Sequence, residues 1–412
     1  MRGGRDSVRD FSYHLPEDRI ARYPAAPRDQ SRLLVAPRSG ASFEHRVFRD
    51  LPDLMRAGDL LVVNESRVLP VRLLGAKPTG ARAEVLLLRP LGEREAAAAG
   101  TDDDAGGGAI RSARNTRGAR GNPADGTGDG SASDRTVSAE HGRRAAGGGA
   151  HPATVHGRGR LWEALVRPGG KLKPGRTVEV APDLVVHIVD STPDHGRIVR
   201  VDTPLPVEEA LDRYGRVPLP PYLRRPDEPV DRARYQTVYA RTPGSVAAPT
   251  AGLHFTPELM AALEAGGVRI ARVTLHVGVA TFRPAGPSGG DPRGPGEERY
   301  CIPGEAAARV AAARAGGGRV WAVGTTVVRT LESAADGAGG VRGGSGMTDL
   351  FIRPPYDFQV VDALITNFHL PHSTLLMLVA AFAGYERAMA AYREAIDQGY
   401  RFYSYGDAMV IS

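Results

Sequence analysis

The sequence predicts an α/β protein in which a layered α/β main domain carries an inserted small β-barrel domain. Apolar strands alternate with helical patterns in the two end portions of the chain. Shorter strand patterns, separated by Gly, Pro and Asp turns, fill the middle. The main domain is therefore predicted at 1–68 and 211–412, and the barrel domain at 69–210.

Four apolar runs of the main domain predict strands: DLLVVNESR, GVRIARVTLHVG, GGRVWAVGTT and VVDALITNFHL. Helical periodicity is found in PELMAALEA, VVRTLESAA, TLLMLVAAFAG and YERAMAAYREAIDQG. The first of these helices should begin at about Thr256, because threonine is a good N-cap and Pro257 suits the first helical position. The stretch ADGAGGVRGGSG predicts a flexible loop before MTDLFIRPP.

The barrel strands are predicted in RVLPVRLLGA and ARAEVLLLRPL, then in RLWEALVRPG, RTVEVAPDLVVHIVD and GRIVRVDT. Between these two groups, residues 93–160 contain almost no large apolar side chains. Such a composition cannot bury enough surface to offset chain entropy, and it predicts a disordered surface insertion.

Composition narrows the classes of function. Lys and Arg number 53 against 47 Asp and Glu, a net charge of +6 that is compatible with a polyanionic partner. The single cysteine, Cys301, excludes an internal disulfide and indicates a reducing compartment. The longest apolar run, LLMLVAAFAG, is too short to span a bilayer and no signal core begins the sequence. The sequence therefore predicts a cytoplasmic protein that does not associate with a membrane.

The motifs argue against a metal or a resident cofactor. His369 and His372 in HLPH have i,i+3 spacing, but Pro371 interrupts them and no acidic or thiol ligand is close in sequence. Neither a P-loop nor a G-x-G-x-x-G sequence follows a strand. The sequence therefore predicts no metal site and no cofactor.

Polar residues follow three of the predicted strands, where ligands bind in open α/β sheets. These residues are Asn64 and Arg67, then Thr325, Thr326 and Arg329, and finally Asn367 and His369. Each of them could instead be a helix cap, a turn residue or a solvated side chain. Their recurrence at equivalent positions favours a binding site.

The stretch VAAPTAGLHFTPEL places Thr250, Gly252 and His254 directly before a helix N-terminus, where unpaired N–H groups can hold a polar ligand. Small residues there would allow a ligand to approach the backbone. The alternative is a packed turn with a structural histidine. In RVTLHVGVATF, alternation places His276 with Arg272 and Thr274, away from the core face.

A proline-rich loop near the N-terminus contains Arg28, Asp29 and Arg32. Arginine and aspartate there could clamp a substrate or pair with each other.

Several of these segments together resemble the S-adenosylmethionine:tRNA ribosyltransferase-isomerase family of queuosine biosynthesis. Among the matching stretches are LPEDRIARYPAAPRDQSRLLV, GDLLVVNESRVLPVRLLGAK, RYQTVYARTPGSVAAPTAGLHFT, AVGTTVVRTLES and TDLFIRPPYDFQVVDALITNFHLPHSTLLMLVAAFAG. The resemblance implies an α/β domain with an inserted β-barrel. It also implies transfer and isomerisation of the ribosyl group of S-adenosylmethionine onto the aminomethyl group of 7-aminomethyl-7-deazaguanine in tRNA, giving epoxyqueuosine-tRNA, adenine and methionine.

Under this resemblance S-adenosylmethionine is a co-substrate and tRNA is the partner. His254 and His276 are the candidates for proton transfer, with the acid and the base not divided between them. Asn64, Thr325, Thr326 and Asn367 would orient ribose or base edges. Arg28, Arg32, Arg67 and Arg329 would meet the methionine carboxylate or tRNA phosphates. On the hypothesis of a ligand turn, His254 should contribute little to burial, so His254→Ala should leave the fold intact.

The sequence departs from the family pattern at two places. The segment 285–303 keeps Glu298 and Tyr300 but has no histidine, and Ala280 stands where a glycine is usual. Two alternatives follow: a paralogue that uses the same chemistry on a free small-molecule amine, and a non-catalytic tRNA-binding protein. The oligomeric state is left open.

Overall fold

The computed structural model describes residues 10–40, 42–92, 160–278, 294 and 296–412, which form a mixed α/β body and a closed β-barrel. The predicted fold class is therefore confirmed.

A nine-stranded mixed sheet forms the centre of the α/β body, in the order β15-β13-β12-β3-β14-β16-β17-β1-β2. Strands β12, β3, β14 and β16 are parallel neighbours, and β13, β15, β17 and β2 each make antiparallel pairs. The strands are β1 (Arg32–Ala36), β2 (Glu44–Val47), β3 (Leu60–Asn64), β12 (Arg269–Leu275), β13 (Glu298–Ile302), β14 (Val320–Val323), β15 (Gly344–Thr348), β16 (Ala363–Asn367) and β17 (Ala408–Ile411). A separate parallel pair consists of β4 (Ser66–Val68) and β11 (Thr242–Ser245).

The four parallel strands are the four runs that the sequence predicts. Every residue of β3, β14 and β16 is buried, because side chains on both faces of the sheet pack into hydrophobic clusters. This explains why these strands are continuous apolar runs rather than alternating patterns.

The helices of the α/β body pack on the two faces of the sheet, and the helix Val207–Tyr214 packs on the barrel instead. They are α1 (Val207–Tyr214), α2 (Asp231–Arg234), α3 (Pro257–Ala265), α4 (Gly304–Ala315), α5 (Thr325–Ser333), α6 (Thr374–Ala383) and α7 (Tyr385–Asp397). The predicted start of α3 is confirmed, since Thr256 Oγ1 accepts the N–H of Leu259 at 3.1 Å. Helix α5 begins two residues before the predicted VVRTLESAA.

The glycine-rich stretch at 335–346 is not wholly a loop. Its last residues enter β15, which pairs with β13 in the register Tyr300 to Gly346. A Cβ at Gly346 would lie 2.7 Å from the Tyr300 hydroxyl, so the glycine permits close packing of the two strands. The expectation of a flexible loop fails here because backbone pairing with β13 overrides local composition.

The barrel closes in the order β10-β7-β6-β5-β8-β9, with every neighbouring pair antiparallel. Its strands are β5 (Arg72–Ala76), β6 (Arg82–Pro90), β7 (Leu161–Arg167), β8 (Thr177–Ala181), β9 (Leu184–Ser191) and β10 (Arg197–Asp202). Alternating apolar side chains of these strands fill the interior. The predicted RVLPVRLLGA strand is divided, because β4 pairs with β11 and only β5 enters the barrel.

The hydrophobic cluster of the barrel extends from Leu69 to Leu211 along the chain, with Val246 added from outside. We therefore retain residues 69–210 as the proposed inserted domain, although the described barrel and α/β body form one compact unit. Of the predicted insertion at 93–160, only Arg160 is among the described residues.

Among the described residues, no single helix has the length and apolar composition to cross a membrane. Helices α6 and α7 meet that threshold only as a pair, which bends by 113°.

The ends of the insertion lie side by side, because the Leu91 N–H donates to the Leu161 carbonyl at 2.9 Å. A short Gly/Ser linker in place of residues 93–159 can therefore join β6 to β7 as an ordinary hairpin connection. We expect the thermal midpoint to be unchanged or raised, since each halving of loop length saves about 0.6 kcal/mol of closure entropy. Differential scanning calorimetry of both chains measures this effect. A midpoint lowered by several degrees would show that the segment stabilises the protein.

Candidate functional site

A cavity of about 90 Å³ lies at the carboxyl ends of the neighbouring parallel strands β14 and β16. The turn Thr250–His254, which is a 3₁₀ helix, forms another wall. Five of the residues predicted for the site line this cavity: Thr250, Thr325, Thr326, Asn367 and His369. The structure thus brings the residues that follow β14 and β16 together in one cavity, and their role in binding stays a prediction.

Asn367, the last residue of β16, is 2% exposed and organises the cavity floor. Its amide Nδ2 donates to the Tyr403 carbonyl at 3.2 Å and lies 3.0 Å from His254 Nε2. Its Oδ1 is buried and has no hydrogen-bond partner among the described residues. A residue that lines the cavity therefore has a buried acceptor with no partner.

The same network fixes the tautomer of His254. Because the carbonyls of Tyr403 and Asp407 both face Asn367 Nδ2, this atom is the donor and His254 Nε2 is the acceptor. The remaining nitrogen, Nδ1, then carries the proton and donates to Ser31 Oγ at 2.7 Å. Burial, with a smaller contribution from nearby arginines, lowers the pKa of His254 to about 3. The ring is neutral and both of its nitrogens are bonded.

His254 is also stacked on Phe48, with ring centroids 4.9 Å apart, and it is 3% exposed. The expectation that this side chain contributes little to burial is therefore wrong. The turn packs against the core, and α3 begins directly after it at Thr256 and Pro257. His254 lies behind Asn367 and does not line the cavity. Its predicted catalytic role stays a prediction.

His369 lines the cavity. The hydroxyl of Thr366 lies 3.3 Å from the Asn367 carbonyl and 2.8 Å from His369 Nε2. In the tautomer with the proton on Nε2, the ring donates to this hydroxyl, and Nδ1 is then an acceptor without a partner among the described residues. The backbone of His369 is held by the hydroxyls of Tyr392 and Tyr13. Burial lowers the pKa of His369 to about 3, so the ring is neutral.

Two helices begin at the cavity. Helix α6 is capped by Ser373, whose Oγ accepts the Leu376 N–H at 3.2 Å. Helix α5 has no side-chain cap, because its N-cap is Gly324 with φ of +88°. Thr326, in the first turn of α5, has a buried Oγ1 without a partner among the described residues. The N-terminus of α5 thus presents unpaired donors and a partial positive charge to the cavity.

Sequence reasoning missed an aromatic wall. Tyr222 and Tyr403 line the cavity with ring centroids 4.6 Å apart, and the Tyr222 hydroxyl lies 2.5 Å from Ser404 Oγ. Tyr403 has a φ of +73°, a left-handed backbone conformation that residues other than glycine rarely adopt. In the sequence, the only local sign of this turn is the pair Tyr403–Ser404 in the stretch YSYGD.

Two predicted residues are occupied by structural contacts. Asn64 accepts the Leu275 N–H through Oδ1 and donates to the Leu275 carbonyl through Nδ2, so it joins β3 to the end of β12. Arg329 is 3% exposed and forms a buried ion pair with Glu298. Its other donors contact the carbonyls of Leu350 and Thr348. Burial raises the pKa of Glu298, and the adjacent guanidinium opposes this shift.

The three predicted residues of the N-terminal loop contact other segments of the chain and do not line the cavity. Arg28 donates to the carbonyls of Gln236 and Ala233 at 2.5 and 2.7 Å. Asp29 therefore does not pair with Arg28; its nearest cation is Arg49, at 3.9 Å. Arg32 lies 3.8 Å over the ring of Tyr400 and donates to the Gln398 carbonyl.

Arg67 lines a separate cavity of about 190 Å³ beside Asp231 and Tyr235. Gly252 faces inward: a Cβ there would lie 2.2 Å from the Tyr239 hydroxyl, so core packing rather than ligand approach requires the glycine.

His276 is half-buried and does not line the cavity at the ends of β14 and β16. Its Nδ1 is buried without a partner among the described residues and would lie 2.7 Å from a Cβ at Gly244. Burial and Arg299 lower its pKa. Thr274, expected on the same face away from the core, is buried, so that face of β12 is not open to solvent at this position. A catalytic role for His276 stays a prediction.

The cavity has an uncharged lining: none of the described residues around it is Asp, Glu, Lys or Arg. Within the described ranges, no group of three His, Cys, Asp or Glu side chains is arranged to hold a metal ion.

The neutral state of His254 makes stability depend on pH. Unfolding restores its ordinary pKa of 6.5, so between about pH 6.5 and 3 the unfolded chain binds a proton that the native ring does not. The stabilisation is complete above that window and is lost as the pH falls, by about 1.4 kcal/mol per pH unit for one group. His254→Gln should therefore flatten the plot of unfolding free energy against pH between 5 and 6.5. Urea unfolding at each pH measures it, with His372→Gln, an exposed histidine, as control. Equal slopes in wild type and His254→Gln would contradict a neutral native ring.

Comparisons with known proteins agree over nearly the whole chain. The family described as "Queuosine biosynthesis protein" matches residues 8–117 and 133–411. The S-adenosylmethionine:tRNA ribosyltransferase-isomerases of Anaeromyxobacter sp. (strain Fw109-5) and Symbiobacterium thermophilum are each 45% identical over 404 residues, covering 98% of both chains.

A crystal structure of the S-adenosylmethionine tRNA ribosyltransferase from Thermotoga maritima is 34% identical, with a TM-score of 0.48. It covers 98% of this chain and 100% of that one. On the identity and coverage of its relatives and on the extent of the family match, this chain belongs to the queuosine biosynthesis protein family.

Proposed function

We propose that the protein transfers and isomerises the ribosyl group of S-adenosylmethionine onto the aminomethyl group of 7-aminomethyl-7-deazaguanine in tRNA, releasing adenine and methionine. The observation that carries the proposal is the uncharged cavity at the ends of β14 and β16, in a chain 45% identical to enzymes named for this reaction. S-Adenosylmethionine serves as co-substrate, no other cofactor is required, and the cytoplasm is the place of action.

The cavity suits a part of the nucleoside donor. Its volume of about 90 Å³ is far below the roughly 300 Å³ lower limit of pockets for whole drug-sized ligands. Thr325 and Thr326 approach it from α5, and Asn367 and His369 from the end of β16. These groups can hydrogen-bond a substrate fragment without introducing a net charge.

Proton transfer is assigned to His369 and positioning to His254. The sulfonium of S-adenosylmethionine acidifies the neighbouring C5′ hydrogens, so a neutral imidazole nitrogen at the cavity is a suitable acceptor. His369 Nδ1 has this state in the tautomer whose Nε2–H donates to Thr366 Oγ1. His254 has no free nitrogen, and it orients the Asn367 amide instead.

The partner is tRNA, and the barrel offers a surface for its phosphates. The connections β5–β6, β7–β8 and β9–β10 lie at the barrel end away from the α/β body, because the chain enters at the start of β5 and leaves at the end of β10. Seven cations at this end have no ion pair among the described residues: Lys77, Arg82, Arg167, Lys171, Lys173, Arg176 and Arg197. The acidic residues described there are Glu84, which pairs with Arg72, and Glu179, Asp190 and Asp194, so the net charge of this end is positive.

The function is tested by incubating the protein with S-adenosylmethionine and tRNA that carries the aminomethyl-deazaguanine. We expect stoichiometric adenine release and a gain of mass on the tRNA. Release of adenine on a free amine, without a gain of mass on tRNA, would favour a small-molecule acceptor. Binding of tRNA with neither product would favour a non-catalytic tRNA-binding protein.

His369→Ala should lower the rate of adenine release by about 100-fold or more, because general acid–base groups contribute at least that factor. S-Adenosylhomocysteine affinity should change little. His187→Ala, which changes a half-buried histidine of the barrel, is the control and should keep most of the activity. His276→Ala tests the sequence-based choice: loss of activity in this variant, with activity retained in His369→Ala, would assign proton transfer to His276.

Lys173→Gln combined with Arg176→Gln should weaken tRNA binding and reduce the slope of log K against log salt by about one to two, since each phosphate contact contributes about 0.7–0.9. The Michaelis constant for S-adenosylmethionine should not change. Arg56→Gln with Arg342→Gln, which removes two exposed cations of the α/β body, is the charge-matched control. Equal salt slopes in the two double variants would exclude this end of the barrel as the contact surface.

A further inference from the structure

Two polar groups on residues that line the cavity lack hydrogen-bond partners: one is an acceptor and the other can donate. Asn367 Oδ1 is an acceptor only, whereas Thr326 Oγ1 can donate a proton; both are more than nine-tenths buried and neither has a partner among the described residues. Buried polar atoms are normally bonded, so an unpaired acceptor and an unpaired hydroxyl on two residues that line one cavity indicate a ligand that supplies both partners.

The hydroxyl lies in a positive environment. Thr326 is in the first turn of α5, a helix of nine residues that has no capping side chain. The N–H groups of Thr325 and Thr326 therefore lack partners four residues back in the helix and are available together with the hydroxyl. A carboxylate is the group that such a helix end binds most favourably.

The acceptor suits a cation of modest size. Asn367 Oδ1 offers a carbonyl lone pair to an ammonium group, and its orientation is fixed because Nδ2 is bonded to His254 and to the Tyr403 carbonyl. An isolated cation would find no carboxylate among the described lining residues, and an isolated anion would find no lysine or arginine. A head group that carries both charges and no net charge fits this lining best.

We propose that this cavity binds the α-amino-acid head of S-adenosylmethionine, with its carboxylate at the N-terminus of α5 and its ammonium at Asn367 Oδ1. The inference rests on the proposed function and adds which end of the donor is held here. The cavity volume of about 90 Å³ agrees with a head group of a few heavy atoms. The sulfur and C5′ would lie next to the head group, beside His369, and the rest of the adenosine would extend outward from this site.

The test combines protein variants with ligands that differ only in the head group. S-Adenosylhomocysteine has carboxylate and ammonium, S-adenosyl-3-thiopropylamine lacks the carboxylate, and 5′-methylthioadenosine lacks both. Thr326→Val removes the hydroxyl at nearly constant volume, and calorimetric titration gives each Kd. We expect the Kd of S-adenosylhomocysteine to rise about tenfold or more, as for loss of a hydrogen bond to a charged group. The other two ligands should change by less than about twofold.

Thr330→Val is the matched control, because Thr330 is buried in the same helix, donates to the Thr326 carbonyl at 2.9 Å and does not line the cavity. Thr326→Ser keeps the hydroxyl and should restore binding. Circular dichroism shows whether Thr326→Val is folded. If it is not, Thr326→Ala is a second variant that lacks the hydroxyl.

An equal loss of affinity for all three ligands would overturn the proposal, and so would a loss confined to 5′-methylthioadenosine, which would assign the cavity to the nucleoside end. These outcomes differ from failure of the proposed function. In that case the wild-type protein would bind none of the three ligands and would release no adenine.

Discussion

The amide of Asn367 is the interaction on which the cavity depends. It joins four parts of the chain that are remote in sequence: the end of β16, the turn that contains His254, the N-terminal loop through Ser31, and the C-terminal segment through the Tyr403 carbonyl. A neutral histidine is essential to this arrangement, because its acceptor nitrogen must face the amide and its donor nitrogen must face the serine. Burial enforces the neutral state and thereby couples the protonation of one ring to the geometry of the site.

The surrounding scaffold relies on buried carboxylates that bind backbone N–H groups and arginines. Asp59 accepts from the Arg319 side chain at 2.7 Å and from Trp321 Nε1 at 3.1 Å, which fixes the start of β14 against β3. Asp407 accepts the Arg32 and Arg401 N–H groups at 3.0 and 2.8 Å, which brings the N-terminal loop to the C-terminal segment. Removal of one partner from such a pair leaves an uncompensated buried charge, so these contacts specify the fold strictly.

The scaffold also explains why several arginines suggested by the sequence do not reach the cavity. Arg329 lies three residues after Thr326, on the same side of α5, but its side chain is held by the ion pair with Glu298 and by the Leu350 carbonyl. Arg28 and Arg32 satisfy carbonyls of other segments. The cavity is consequently uncharged, although the chain as a whole is basic.

The sequence by itself determined the α/β class, the four central strands, the barrel and the start of α3, because apolar periodicity and capping residues act over a few neighbouring positions. It also indicated Thr325, Thr326, Asn367 and His369, since residues after parallel strands meet at one sheet edge. Only the tertiary structure decided which strand ends converge. Asn64 also follows a parallel strand, but its amide pairs with Leu275 of the adjacent strand. The roles of His254, Arg329 and the Tyr222–Tyr403 wall depend likewise on contacts between remote segments, which no local pattern encodes.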